Sequence, residues 1–180
     1  MSATREVARP ASRAPQDASS ARLYRALAAG EFRSGTALAG ELGLTRSAVW
    51  KAVRQLRGLG AQINAVPNRG YRLRSGAPLD GARIALQLPP RVRARAASVD
   101  VAWSIPSTNA ALLEQTEPAP GAARVLLAEH QSAGRGRRGR TWIAPLGGAV
   151  CLSVGWTFAQ LPAEVSAASL AIGVCVLRAL

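Results

Sequence analysis

The sequence predicts an α+β fold in two domains: a small helical unit closed by a hairpin, then the first part of a mixed α/β unit. Three observations carry this. Between residues 20 and 59, apolar residues recur at helical spacing in short runs punctuated by glycine. From residue 97 onward, alternating and β-branched runs take turns with helical ones. Between them, residues 76–96 are rich in proline and arginine and read as a connector with one short helix. The expected divisions are a disordered tail over 1–19, a first domain over 20–75, the linker over 76–96 and a second domain over 97–180.

The tail is rich in Ala, Ser, Arg and Pro and lacks periodicity. In the first domain, Ala21–Ala29 places Leu23, Leu27 and Ala28 on one face, and Gly30 closes that helix. Ser34-Gly35-Thr36 opens a second helix with Leu38, Ala39 and Leu42 inward, stopped by Gly43. Leu44 fills the turn, and Thr45 is an N-cap for a third helix running from Arg46 to about Leu59. Val49, Val53, Leu56 and Leu59 form its buried stripe, leaving Arg46, Ser47, Trp50, Lys51 and Arg54 largely on the other face. Gln62–Val66 and Tyr71–Leu73 are strands joined by the turn Pro67-Asn68-Arg69-Gly70. Helix, short turn, helix, then hairpin is the winged helix-turn-helix arrangement, in which the third helix enters the major groove and the wing lies on the backbone. Ser47, Lys51 and Arg54, with Arg69 and Arg72 on the wing, are the expected DNA contacts. Trp50 fits either a core position or the groove. A helical domain with a charged, solvated face is the plainer alternative.

Charge agrees with a polyanionic partner. The net charge is +13, and residues 20–80 hold ten basic residues against three acidic, residues 81–140 nine against four, and residues 141–180 one of each. Cys151 and Cys175 lie in apolar runs and read as buried thiols of a reducing compartment. His130 has no spacing to either that would make a metal site, so none is expected. Residues 1–20 have no signal-peptide core and no run is long enough to span a bilayer, so the expected location is the cytoplasm, with no membrane partner.

In the second domain, Ser98–Ile105 reads as a strand, Pro106-Ser107-Thr108-Asn109 as a junction, and Ala110–Gln115 as a helix. Hydroxyl and amide side chains at such a junction can simply cap the helix. Arg124–Glu129 is a strand that delivers His130-Gln131 into Gly134-Arg135-Gly136-Arg137-Arg138-Gly139-Arg140, followed by Thr141-Trp142. Glycine permits positive φ and close approach of a ligand to the backbone, and arginine offers a permanent charge with a fork of donors. A mobile cationic loop of this kind suits an anion; alone, it also fits a solvated turn or a nucleic-acid contact. Gly134-x-Gly136-x-x-Gly139 matches the dinucleotide-binding pattern formally. However, extended chain ending at Pro145 follows it rather than a helix. Gly148–Thr157 is another strand, and Pro162–Leu180 a long helix whose expected buried stripe is Leu170, Val174, Leu177 and Leu180. A stripe reaching the last residue with no cap predicts a fragment or an interrupted reading frame.

With Pro106-Ser107-Thr108-Asn109, then Glu129-His130-Gln131-Ser132-Ala133, the arginine-glycine loop and Trp142, the second domain resembles the biotin–protein ligases. With the winged helix ahead of it, the chain from about Tyr24 onward resembles the bifunctional biotin ligase and biotin operon repressor family. The resemblance implies an enzyme that joins biotin and ATP, with Mg2+, into biotinyl-5′-AMP and then transfers biotin to a lysine of a biotin carboxyl carrier protein. It also implies an adenylate-dependent homodimer that binds operator DNA. Carried onto this chain, Ser107, Thr108, Asn109 and Gln131 correspond to biotin contacts. Arg135, Gly136 and Arg137 correspond to the loop that closes over biotin and the adenylate, with Arg138 beside them, and Trp142 to a wall at the adenine. Arginines would relieve the repulsion between the biotin carboxylate and the α-phosphate, and loop closure would keep water from a hydrolysable anhydride. The chain departs from the family at Pro106, where an acid is usual, at His130, where tyrosine is usual, and at Ala144, where serine is usual. The family's catalytic lysine has no counterpart, because Lys51 in the third helix is the sole lysine; little or no ligase turnover is therefore expected. Two other functions remain open: a DNA-binding regulator that only senses a small ligand, and a stand-alone nucleic-acid binder whose loop is one more phosphate contact.

Overall fold

The computed structural model describes residues 15–179. The tail expected over 1–19 therefore falls mostly outside the described residues, and what is described of it, from Pro15, is helical. Helix α1 spans Pro15–Ala26, starting ahead of the expected Ala21. Its buried side chains include Leu23 and Tyr24; in the turn after the helix Leu27 is buried, whereas Ala28, expected inward, is exposed.

Helices α2 (Gly35–Leu42) and α3 (Arg46–Gly58) follow, the second with its expected Thr45 cap and the first capped by Ser34 at the expected opening. Ser34 Oγ accepts from Ala37 N and Thr45 Oγ1 from Ala48 N, each at 3.1 Å, and Gly43 ends α2 in the left-handed region. The wing is β1 (Ile63–Val66) against β2 (Gly70–Leu73). Arg33 adds a third, single-residue rung by exchanging backbone hydrogen bonds with Tyr71. That rung demands glycine at 70, since a Cβ there would lie 2.1 Å from the Arg33 carbonyl oxygen.

The linker holds α4 (Gly81–Gln87), capped by Asp80, and a one-turn helix α5 (Pro90–Arg93) within the expected basic connector. The second domain has a mixed sheet of three strands with Ala123–Gln131 at its centre. Strands β3 (Ala96–Ile105) and β4 (Ala123–Gln131) run parallel, joined by the crossover helix α6 (Thr108–Leu113). Strand β7 (Cys151–Trp156) is antiparallel to β4. One sheet face carries Trp103 and Glu129 toward the first domain and the linker, where the Tyr24 and Trp103 rings lie 5.7 Å apart. The other face carries Ala102, Ala128 and Cys151.

The final helix corrects the sequence reading. It is a 3-10 turn (Val165–Ala167) followed by α7 (Ala168–Ala179), and its expected stripe is not buried: Leu170 is 73% exposed, with Val174 and Leu177 exposed as well. Leu180 lies outside the described residues. Cys175, expected buried, is exposed on the same helix, while Cys151 is buried as expected. The periodicity was correctly helical; no layer among the described residues covers the apolar face.

Candidate functional site

The β3–β4 register sets Ile105 beside Gln131, so both strands end at one level. From there the chain leaves through Pro106 into α6 and through Ser132 into the arginine-glycine segment. Two backbone bonds stitch the exits together, Ser132 N to Ile105 O and Ala133 N to Pro106 O, both at 3.0 Å. Ser107 caps α6, its Oγ accepting from Ala110 N at 3.4 Å. Thr108, 4% exposed, is the hub. Its N–H and its hydroxyl both donate to Gln131 Oε1, at 2.8 and 3.2 Å, and its Oγ1 lies 2.8 Å from Ser153 Oγ.

Counting protons fixes the polarity of this cluster. A threonine hydroxyl has one proton, and it is spent on Gln131, so Ser153 donates to Thr108. Both lone pairs of Gln131 Oε1 are occupied, so the amide offers its Nε2 donors outward, on the side of Gly134. Ser153 was missed from the sequence. Its signal was a small polar residue alternating with Cys151 and Gly155 on one face of a strand whose other residues are large and apolar. Asn109, expected in the same cluster, is exposed and lines a separate groove of about 460 Å³ with Leu112, Val154 and Trp156. Consecutive helix residues point about 100° apart, so Thr108 and Asn109 do not share a target. His130 meets Ser104, Nδ1 to Oγ at 3.1 Å.

The arginine-glycine segment is a hairpin. Strand β5 (Gly134–Arg135) pairs with β6 (Thr141–Trp142), and Gly136 N donates to Arg140 O at 2.7 Å. Gly134 is required because a Cβ there would stand 2.6 Å from the Trp142 carbonyl oxygen. Arg137–Gly139 form a 3-10 turn at the tip, in which Arg138 and Gly139 both have positive φ. Among the described residues Arg135, Arg138 and Arg140 are exposed and make no ion pair. The Arg137 side chain lies outside the described residues. Trp142 is 60% exposed, a large apolar ring without a covering partner beside unpaired cations.

Behind the site, on the face toward the first domain, Glu129 is buried and accepts from Leu79 N at 2.5 Å. Burial raises its carboxyl above the usual glutamate range, against the opposing Leu79 hydrogen bond and the Arg25 charge. Tyr24 is pushed up to about 12 by burial and by the Glu129 charge, and its hydroxyl has no partner among the described residues.

On the first domain, Arg46, Ser47 and Trp50 of α3 and Asn68 of the wing line a concavity of about 770 Å³. Trp50 is thereby settled as a surface residue, with the Arg54 guanidinium 4.9 Å from its ring centroid. Lys51 and Arg54 are exposed on the same helix. Arg69 and Arg72 stack on Phe32, at 4.2 and 4.7 Å, which staples the wing to the loop before α2. That contact was not foreseen from the sequence.

Comparison with known proteins matches residues 20–72 to a helix-turn-helix domain and residues 101–180 to the biotin/lipoate A/B protein ligase family. Residues 101–180 belong to that ligase family. It is 42% identical over 150 residues to the bifunctional ligase/repressor BirA of Salmonella typhimurium strain LT2, covering 82% of this chain and 44% of the relative. Its identity to the protein of the same name from Escherichia coli strain K12 is 41% over 155 residues, covering 85% and 46%. A biotin–[acetyl-CoA-carboxylase] ligase of Mycobacterium tuberculosis strain H37Rv is 45% identical over 83 residues, 44% of this chain and 30% of the relative. The chain thus spans under half the length of these curated relatives. No described helix is long and apolar enough to cross a membrane. The described residues also hold no cluster of His, Cys, Asp and Glu fit for a metal ion.

Proposed function

We propose that this chain carries the DNA-binding part and the ligand-closing part of a cytoplasmic biotin–protein ligase that also represses transcription. The observation that carries the reading is the Thr108–Gln131–Ser153 cluster at the strand ends that feed an unpaired arginine hairpin. Biotin's ureido group has N–H donors on either side of a carbonyl, and Gln131 Nε2 would donate to that carbonyl. Ser107 and Thr108 complete the proposed biotin end, whereas Asn109 faces the neighbouring groove and stands outside it. Arg135, Arg137 and Arg138 would close on the biotin carboxylate and the α-phosphate, with the Gly136 backbone free to approach, and Trp142 would shield the adenine. Mg2+ would enter on the phosphates of ATP. Attack of the carboxylate on the α-phosphate forms biotinyl-5′-AMP and releases pyrophosphate; a carrier-protein lysine would then take the biotin and release AMP. Ser47, Lys51, Arg54, Arg69 and Arg72 would meet operator DNA, with the adenylate favouring a homodimer.

The test is mass spectrometry of the chain after incubation with biotin and Mg-ATP, alongside calorimetric titration with biotin and biotinyl-5′-AMP. Retention of biotin or its adenylate, lost on Gln131→Ala, supports the proposal. Binding of duplex DNA with no affinity for either ligand would instead favour a regulator that senses another molecule. Because Lys51 is the sole lysine and lies on α3, repeated turnover on a carrier domain would show that transfer needs no lysine beside the arginines.

A further inference from the structure

Two residues beyond Trp142, the chain divides its loyalty between the domains. Ala144 is buried in the core of the sheet domain with Ala128 and Cys151. Leu146, 3% exposed, belongs to the core of the winged helix with Leu23, Leu56 and Ile63. Its backbone N–H donates to Leu59 O at 2.8 Å, at the C-terminal cap of α3. The neighbouring contacts leave no slack. A Cβ on Gly60 would stand 2.6 Å from the Pro145 Cβ, and one on Gly147 would stand 2.8 Å from the Tyr24 hydroxyl oxygen. Gly60 and Gly147 both have positive φ, so each is held in a conformation that other residues adopt at a cost.

A domain on a flexible tether would not lend a side chain to its neighbour's core. We infer that Leu146 is a positioning residue. It clamps the base of the arginine-glycine hairpin to the C-terminal end of the recognition helix, so that hairpin closure and helix placement are coupled within one chain. The route is short and contiguous: Trp142 in β6, Ala144 in the sheet core, Leu146 in the winged-helix core, Leu59 at the end of α3. Coupling between two sites is reciprocal, so whatever orders the hairpin steadies α3 and whatever steadies α3 orders the hairpin. Closure of the hairpin over a ligand rests on the proposed role of that segment; the mechanical coupling does not.

Amide hydrogen exchange on the full chain, without ligand, tests this through a graded series, Leu146→Met, Leu146→Val and Leu146→Ala. The reporters are Gly136 N–H in the hairpin, Leu59 N–H at the end of α3 and Leu126 N–H in β4. Progressive truncation is expected to speed exchange at Gly136 and Leu59 together, about tenfold for alanine, while Leu126 stays at the wild-type rate. Methionine, which refills the volume, should restore both. Val53→Ala, a cavity in the same winged-helix core, should also speed Gly136. Exchange at Gly136 that ignores the series, with only winged-helix amides responding, would reduce Leu146 to a core residue and overturn the coupling. If alanine unfolds the first domain outright, the valine variant decides by the same reporters. Failure of biotinyl-5′-AMP to bind would sink the functional reading and leave this result standing.

Discussion

The winged helix and the sheet domain are built from similarly apolar sequence, yet they close in different ways. In the first domain Leu23, Leu27, Leu38, Val49 and Leu56 are fully buried around one center, and α2 and α3 carry side-chain N-caps. In the second domain the buried cluster is Ala128, Ala144 and Cys151, while Leu152, Val154 and Trp156 on β7 and the apolar residues of α7 face outward. The sheet is covered on one side by the winged helix and the linker and on the other chiefly by α6. The difference teaches that apolar content predicts burial only where a second layer exists to receive it. It also places the cohesion of the chain in its first domain, from which the arginine-glycine hairpin takes its footing through Leu146.

Truncating the two cores should expose that asymmetry most strongly. Leu56→Ala removes a fully buried side chain from the dense core and is expected to cost about 2–5 kcal/mol in urea unfolding. The comparison breaks if it costs no more than a surface change. Next in size is Thr108→Val, which keeps the shape and deletes the hydroxyl. It should weaken biotin binding about tenfold, read by calorimetry, with little loss of fold stability. Equal losses in both would make Thr108 structural.

The junction between the regions should respond to pH. Glu129 is raised by burial, so the stability it contributes is present below the ordinary value of 4.5 and is lost as pH rises through its raised value. Glu129→Gln keeps an acceptor for Leu79 N and cannot ionise. It should be more stable than the parent at pH 7, with the gap closing as pH falls below 4.5. A gap independent of pH would show that the carboxylate is not strained there. On the proposed DNA face, Arg54→Ala should reduce the slope of log affinity against log salt by about 0.9. Smallest of all, Leu170→Ser on the exposed face of α7 should change unfolding free energy by no more than about 0.5 kcal/mol. A larger loss would reveal a covering layer.

Much of this was legible in the residues. The caps at Ser34 and Thr45, the left-handed Gly43, the wing turn and the inward Val49, Val53 and Leu56 all follow from local chemistry, which a short window of sequence contains. So did the family, because the arginine-glycine motif with Trp142 is dense and local. Ser153, the departure of Asn109, the Phe32 staple and the stacking of Trp50 under Arg54 were not legible, because each is a contact between segments far apart in the chain or a matter of which way one residue points. The outward face of α7 belongs with them: the helical period was evident, and the absence of a covering layer among the described residues was not.

By itself the sequence determined the type and order of most helices and strands, the cap at Thr45, and which chemistry the hairpin can offer, because those depend on near neighbours and on side-chain type. Only the tertiary structure decided that Gln131 presents its donors rather than its carbonyl. It alone showed that Leu146 belongs to the other domain's core and that Glu129 is buried at the seam. Those outcomes depend on which distant atoms compete for the same hydrogen bond or the same volume, and that competition exists only once the chain has folded back on itself.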